Sequence, residues 1–240
     1  MLDRDFARGV RDTLPLLVGV APFGLVFGLL GRTTALGPAG TLAMSACVFA
    51  GSAQFISLSL LTAGTVYPLI VLTTLVVNLR HMLYAASLLP YVRYLSAAWR
   101  RFLAFGLTDE SYAVVITHYR REMGAGHDAL PEDAARGHRY YFLAANLTMY
   151  LCWQLSTAAG VFLGGSVPDP TAWGLDFALP VIFIALLAGQ EWDRPSIITA
   201  IVSGAVALLA KDMPGRLGLL LAALLAATAG WGMEAWQKRR

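Results

Sequence analysis

Asn78, Arg80, His81 and Tyr84 place four polar side chains within seven positions, inside an apolar run from Pro68 to Leu89. On a helix Asn78, His81 and Tyr84 fall at i, i+3 and i+6 and drift slowly round one side, with Arg80 one turn before Tyr84. A guanidinium at bilayer depth costs about 3 to more than 10 kcal/mol unless it faces protein, water or a counter-charge. The next apolar run, Phe102 to His118, carries Asp109 and Glu110 near its centre. Adjacent helical positions diverge by about 100 degrees, so only one carboxylate can point squarely at Arg80. The other reaches solvent, pairs with His81, or stays protonated because burial disfavours the charged form. A carboxylate that changes protonation inside a bundle is how proton coupling is wired, which makes Asp109, Glu110 and the titratable His81 candidate proton-coupling residues. A static ion pair that fixes helix register is the alternative.

A second polar group precedes it. Ser52 and Gln54, in Phe49-Ala50-Gly51-Ser52-Ala53-Gln54-Phe55, interrupt another apolar run. Two readings stand. Glycine and serine can break the helix, and the resuming half-helix then offers free N–H groups to a carboxylate. Otherwise Gly51, Ser52 and Ala53 give close helix packing, with Gln54 hydrogen-bonded across the interface. Asn146 and Gln154, two turns apart in a later run, could complete a polar lining, and Phe23, Phe55 and Met82 could form an apolar wall beside it. Ser52, Gln54, Asn78, Arg80, Tyr84, Phe23, Phe55, Asn146 and Gln154 are thus the candidate substrate-binding residues. Ser52 with His81 could also be read as a serine hydrolase pair, but the Gly-x-Ser-x-Gly elbow is absent. There is no Gly-x-x-x-x-Gly-Lys-Ser/Thr loop for nucleotide hydrolysis. No catalytic set, cofactor or metal site is expected.

These residues need an all-α scaffold. Of the 240 residues 57% are hydrophobic and 14% charged, where soluble domains carry about a quarter charged residues. The composition implies a polytopic membrane helical bundle, since only internally satisfied backbone can cross a bilayer. Spans of about 17 to 25 apolar residues fit 14–30, 41–63, 68–89, 102–118, 140–164, 172–190, 195–210 and 217–236, in a single transporter-like domain covering 1–240. Asp176 and Pro180 interrupt the sixth and the seventh is short, so seven or eight transmembrane helices are expected. Leu14 to Leu30 is longer than a leader's apolar core of about 7 to 15 residues and suits a retained first helix. With eight crossings and a cytoplasmic N-terminus, eleven basic residues lie inside and six outside. That ratio favours both termini in the cytoplasm, with Arg93, Arg100 and Arg101 running against it. Basic residues in short connectors speak to topology, not to nucleic acid. Cys47 and Cys152 fall in apolar segments and are read as small hydrophobes. Gln54-Phe55-Ile56-Ser57 and Gln154-Leu155-Ser156-Thr157, three spans apart, would mark inverted three-helix repeats with discontinuous helices; chance likeness between apolar helices is the other reading.

Pro22-Phe23-Gly24, Ala50-Gly51-Ser52-Ala53-Gln54-Phe55, Asn78-Leu79-Arg80-His81-Met82-Leu83-Tyr84 and Leu107-Thr108-Asp109-Glu110, in this order, resemble the AzlC family, the large subunits of bacterial LIV-E type branched-chain amino-acid exporters. The resemblance covers essentially the whole chain. It implies efflux of leucine, isoleucine, valine and sometimes methionine across the bacterial inner membrane, driven by the proton-motive force, together with a small AzlD-type membrane subunit. It carries no catalytic motif to transfer, so the site residues rest on their polarity at membrane depth. A zwitterionic substrate fits them: Arg80 or the Ser52 helix end for its carboxylate, Asp109 or Glu110 for its ammonium group. A channel or an assembly subunit of a membrane complex is the competing class.

Overall fold

The computed structural model describes residues 2–123, 132–165, 184, 192–211, 213 and 217–238. Among them every regular element is a helix: α1 (Leu2–Arg32), α2 (Gly37–Val48), α3 (Gly51–Thr62), α4 (Tyr67–Asn78), α5 (Arg80–Val92), α6 (Ala97–Phe105), α7 (Asp109–Met123), α8 (Glu132–Leu163), α9 (Arg194–Leu209) and α10 (Leu217–Lys238). The chain is all-α, as its composition requires. The expected span 172–190 lies outside the described residues apart from Ile184.

The helices group into two compact units, one of Met1–Thr62 and Thr74–Ala178, the other of Ala63–Thr73 and Leu179–Arg240. In the first, α1 and α8 pack along most of their length, and small residues make that possible. A Cβ on Gly9 would strike Tyr141, one on Gly28 the Thr157 carbonyl, and one on Gly160 the Leu25 carbonyl. These contacts advance together along both chains, so the helices run parallel. Close approach of two backbones through small residues is how apolar helices associate without a hydrophobic driving force. Phe27 sits at the centre of the seam, 6.0 Å from the Trp153 ring and 5.7 Å from Phe55. Arg32 closes the end by donating Nη1 to the Val161 carbonyl at 2.6 Å.

The second and fourth apolar segments are not continuous rods: the second divides between α2 and α3 at Phe49–Ala50 and the fourth over Gly106–Thr108. The third runs on through Tyr67–Val92 and is divided only in its hydrogen bonding, at Leu79, where the dihedrals stay helical. The first of these divisions matches one of the two Gly51-Ser52 readings; a continuous helix was expected across the fourth segment. Two stretches, Arg4–Arg32 and Tyr67–Val92, are long and apolar enough to cross a membrane.

In the second unit α9 and α10 pack antiparallel, with Gly230 against Thr199 and Gly218 against Ala210. Asp193 caps α9 by accepting the Ser196 N–H at 2.8 Å, and the Ser196 hydroxyl, followed by that N–H, holds its carboxyl below the ordinary carboxylate range.

Gly160→Ala should lower detergent-solubilised stability by about 1 to 3 kcal/mol through overpacking. Gly204, whose Cβ would meet open space, should tolerate alanine. Equal unfolding midpoints for the two variants would contradict the tight α1–α8 seam.

Candidate functional site

The three divisions bring three helix starts together in the first unit. Phe49 ends α2 in the left-handed region, φ 39 and ψ 50, which costs a non-glycine residue about 1 to 3 kcal/mol. The chain turns there, and α3 resumes at Gly51 with Gln54 donating its N–H to the Ala50 carbonyl at 2.9 Å. Gly51 lets the Trp153 ring approach to where a Cβ would be 3.1 Å away. At Leu79 the N–H bonds tighten to three-residue loops, Leu79 to Val76 at 3.2 Å and Met82 to Leu79 at 3.0 Å. Before α7, Thr108 and Ser111 cap each other: Ser111 N–H donates to Thr108 Oγ1 at 3.2 Å, and Thr108 N–H to Ser111 Oγ at 2.9 Å. This is a capping box with serine at its third position.

Arg80 occupies the junction. Its Nη1 donates to Asp109 Oδ2 at 2.5 Å and its Nη2 to Ser52 Oγ at 2.6 Å. The pair is partly accessible, with side-chain exposures of 28% and 34%. Tyr84, one turn on, lies beside the pair and stacks at 4.5 Å on Tyr112, whose hydroxyl donates to Ser87 at 2.9 Å. Helix starts carry about half a positive charge each. The starts of α3 and α7 are offset by the ends of α2 and α6 at the same breaks, so Asp109 is the main answer to Arg80, and Glu110 adds a second carboxylate next to it in the chain. Arg80 Nε, Asp109 Oδ1 and Asn78 Oδ1 are buried with no hydrogen-bond partner among the described residues.

A second set of polar residues serves the breaks instead. A helix that stops leaves carbonyls unpaired. Gln154 donates Nε2 to the Ser45 carbonyl at 3.0 Å, and Tyr150 its hydroxyl to the Ala46 carbonyl at 3.2 Å. These are carbonyls of the last turn of α2. Asn146 donates Nδ2 to the Leu103 carbonyl of α6 at 2.8 Å. His81 Nδ1 faces the Asn78 carbonyl, the last of α4, at 3.2 Å. Unbroken α8 thus props two of the broken helices, and its polar residues act as backbone caps in this structure.

Ser52, Arg80, Tyr84 and Asp109 are therefore brought together, with His81 against Tyr84 at a ring separation of 5.8 Å. Glu110 is half-buried beside them and forms no ion pair among the described residues. Gln54 is fully buried, and neither of its amide atoms has a partner among the described residues. Phe55 belongs to the core with Phe27, and Phe23 is half-buried on α1. Met82 turns outward, 67% exposed, so it lies on the outer surface and not on a wall of this junction. Tyr112 and Tyr150 were not anticipated, and the Thr108-x-x-Ser111 pattern is the signal that could have located the last break.

A family model described as "AzlC protein" matches residues 15–167, a stretch that contains every residue of the junction. The chain belongs to the AzlC family. It is similar to the "Inner membrane protein YgaZ" of Escherichia coli, 28% identical over 84% of this chain and 80% of that protein. The "Branched-chain amino acid transport protein AzlC" of Bacillus subtilis is 27% identical, over 79% of this chain and 68% of its own length. An uncharacterized membrane protein of Archaeoglobus fulgidus is 26% identical over 95% and 96%. No solved structure matches. With relatives named as membrane proteins and two apolar stretches of spanning length, this AzlC-family chain is a membrane protein with a transport role.

Because a buried acceptor left without its donor costs about 1 to 3 kcal/mol, Asn146→Leu and Gln154→Leu should each lower the unfolding midpoint in detergent; an unchanged midpoint in both would deny them the capping role. Asp109→Asn strands Arg80, so the Arg80→Gln/Asp109→Asn double variant should be recovered folded in higher yield than Asp109→Asn alone. A lower yield would show that the pair does not matter to folding in this way.

Proposed function

We propose that the chain is a secondary exporter of branched-chain amino acids across the bacterial inner membrane, coupled to the proton-motive force. The observation that carries this reading is the single guanidinium held between Ser52 and Asp109 where three helices start. A zwitterionic amino acid presents one negative and one positive group. It can enter the Arg80–Asp109 pair by giving its carboxylate to Arg80 and its ammonium group to Asp109, so both protein charges stay answered. A protonated Asp109 cannot hold the ammonium group. Proton and substrate therefore compete for one carboxylate, which is the requirement for exchange of one against the other, with Glu110 and His81 close enough to share the proton. The unpaired atoms of Asn78 and Gln54 supply further polar contacts. Branched-chain amino acids are the substrate class that the Bacillus relative's name supports, with methionine a further substrate in this reading.

In this reading the chain crosses the membrane several times with both termini in the cytoplasm, and a small AzlD-type membrane subunit is its partner. The parallel run of α1 and α8 fits an even number of crossings between their starts. The hydrolase reading loses support, since Ser52 Oγ accepts from Arg80 and His81 Nδ1 faces backbone.

Asp109→Asn and Glu110→Gln should abolish leucine efflux from cells fed a leucine-containing dipeptide while the protein stays in the membrane. Efflux at the unmodified rate in both variants would remove the carboxylates from the mechanism, and equal leucine retention with and without the chain would remove the substrate class.

A further inference from the structure

The far end of α7 carries a cluster that the transport reading does not use. His118 lies nine residues beyond Asp109, about 13 Å along the helix at 1.5 Å per residue. Glu122 follows one turn later on the same face, and His138 enters from the early turns of α8. One donor atom from each of the three lies within 4.8 Å of the others, the only such group among the described residues. Glu122 turns Oε2 to 3.9 Å from His138 Nε2, while its Oε1 meets Arg8 Nη1 at 3.2 Å.

Both imidazoles are held in place by their neighbours. Tyr141 stacks on His118 with ring centres 3.7 Å apart, and its hydroxyl donates to Asp12 at 2.8 Å. Tyr119 stacks on His138 at 5.1 Å and donates its hydroxyl to the His138 backbone carbonyl at 2.9 Å. His138 is buried, and its Nδ1 has no hydrogen-bond partner among the described residues. The buried His138 turns Nε2 toward the Glu122 carboxylate, and with the donor atom of a second imidazole gathered beside them the three form a donor set rather than a packing contact.

We propose that His118, Glu122 and His138 bind a divalent transition-metal ion of the zinc class. Two imidazoles and one carboxylate suit zinc, and three protein ligands leave a fourth position for water. Zinc–ligand bonds of about 2.0 to 2.2 Å put neighbouring tetrahedral donors roughly 3.3 Å apart. Closing the cluster from its present spread asks for a shift of up to about 1.5 Å between donors; Glu122 Oε2 already stands 3.9 Å from His138 Nε2. Asp12, through Tyr141, and Asp5, whose carboxylate lies against Gly137, offset the charge that Arg8 adds. The ion ties the end of α7 to the start of α8. His118 and Glu122 stand four residues apart, but the third ligand comes from the next helix, sixteen residues further on, which is why the spacing alone did not reveal the set.

The test uses the untagged full-length chain, purified in detergent and stripped with a chelator. Cobalt(II) should bind one equivalent with a visible ligand-field band, and zinc should displace it. His118→Gln and Glu122→Gln, both on α7 and neither buried, should weaken zinc binding by at least about tenfold, the loss that even an outer-shell partner can cause. His81→Gln should bind as the unmodified chain does. No saturable equivalent, or the same affinity in the two α7 variants as in the unmodified chain, would overturn the site, as would loss of binding in His81→Gln.

Discussion

A helix that stops inside an apolar chain leaves backbone groups that must find partners, and the first unit is arranged around that need. Leaving one such group unanswered costs about 1 to 3 kcal/mol, and three divisions expose several. α8 runs unbroken past them and answers with Asn146, Tyr150 and Gln154. Its tight seam with α1, built on Gly9, Gly28 and Gly160, keeps those side chains at the right height. The bland part of the fold, two parallel helices packed through glycine, is therefore what makes the broken part affordable.

The divisions in turn decide the electrostatics. Two free helix starts contribute tenths of a kcal/mol to about one each toward an anion, far less than a buried guanidinium demands. Asp109 must therefore do most of the work of holding Arg80, since the helix starts at the breaks are offset by the helix ends beside them. Ser52 adds an uncharged acceptor that moves no charge. In the proposed mechanism the exchange of partners leaves every charge answered, and a carrier that binds weakly through several contacts can also release.

Much of the junction is legible in the sequence, for a physical reason. A charge in apolar surroundings is costly enough that Arg80 had to meet a counter-charge, and the chain offered one good candidate region in Asp109-Glu110. Gly51-Ser52 likewise allowed a break through its composition, one of the two readings it left open. The divisions at Leu79 and at Gly106–Thr108 were harder to see. Leu79 has helical dihedrals, φ −55 and ψ −25, so only its hydrogen bonding shifts, and no breaker residue marks it. The roles of Asn146 and Gln154 depend on which carbonyls stand opposite them, a tertiary fact that spacing within α8 cannot hold. Met82 shares a helix with the polar residues, but its direction follows from α5's rotation about its axis, which leaves it facing outward.

The most direct measurement is an experimentally determined structure of the chain, with the proposed small subunit if that is needed for stability, in the presence of saturating leucine. Leucine should sit between Arg80 and Asp109, its carboxylate on the guanidinium beside Ser52 and its ammonium group on Asp109. Leucine bound elsewhere with the Arg80–Asp109 pair intact would contradict the exchange of partners on which the proposed mechanism stands.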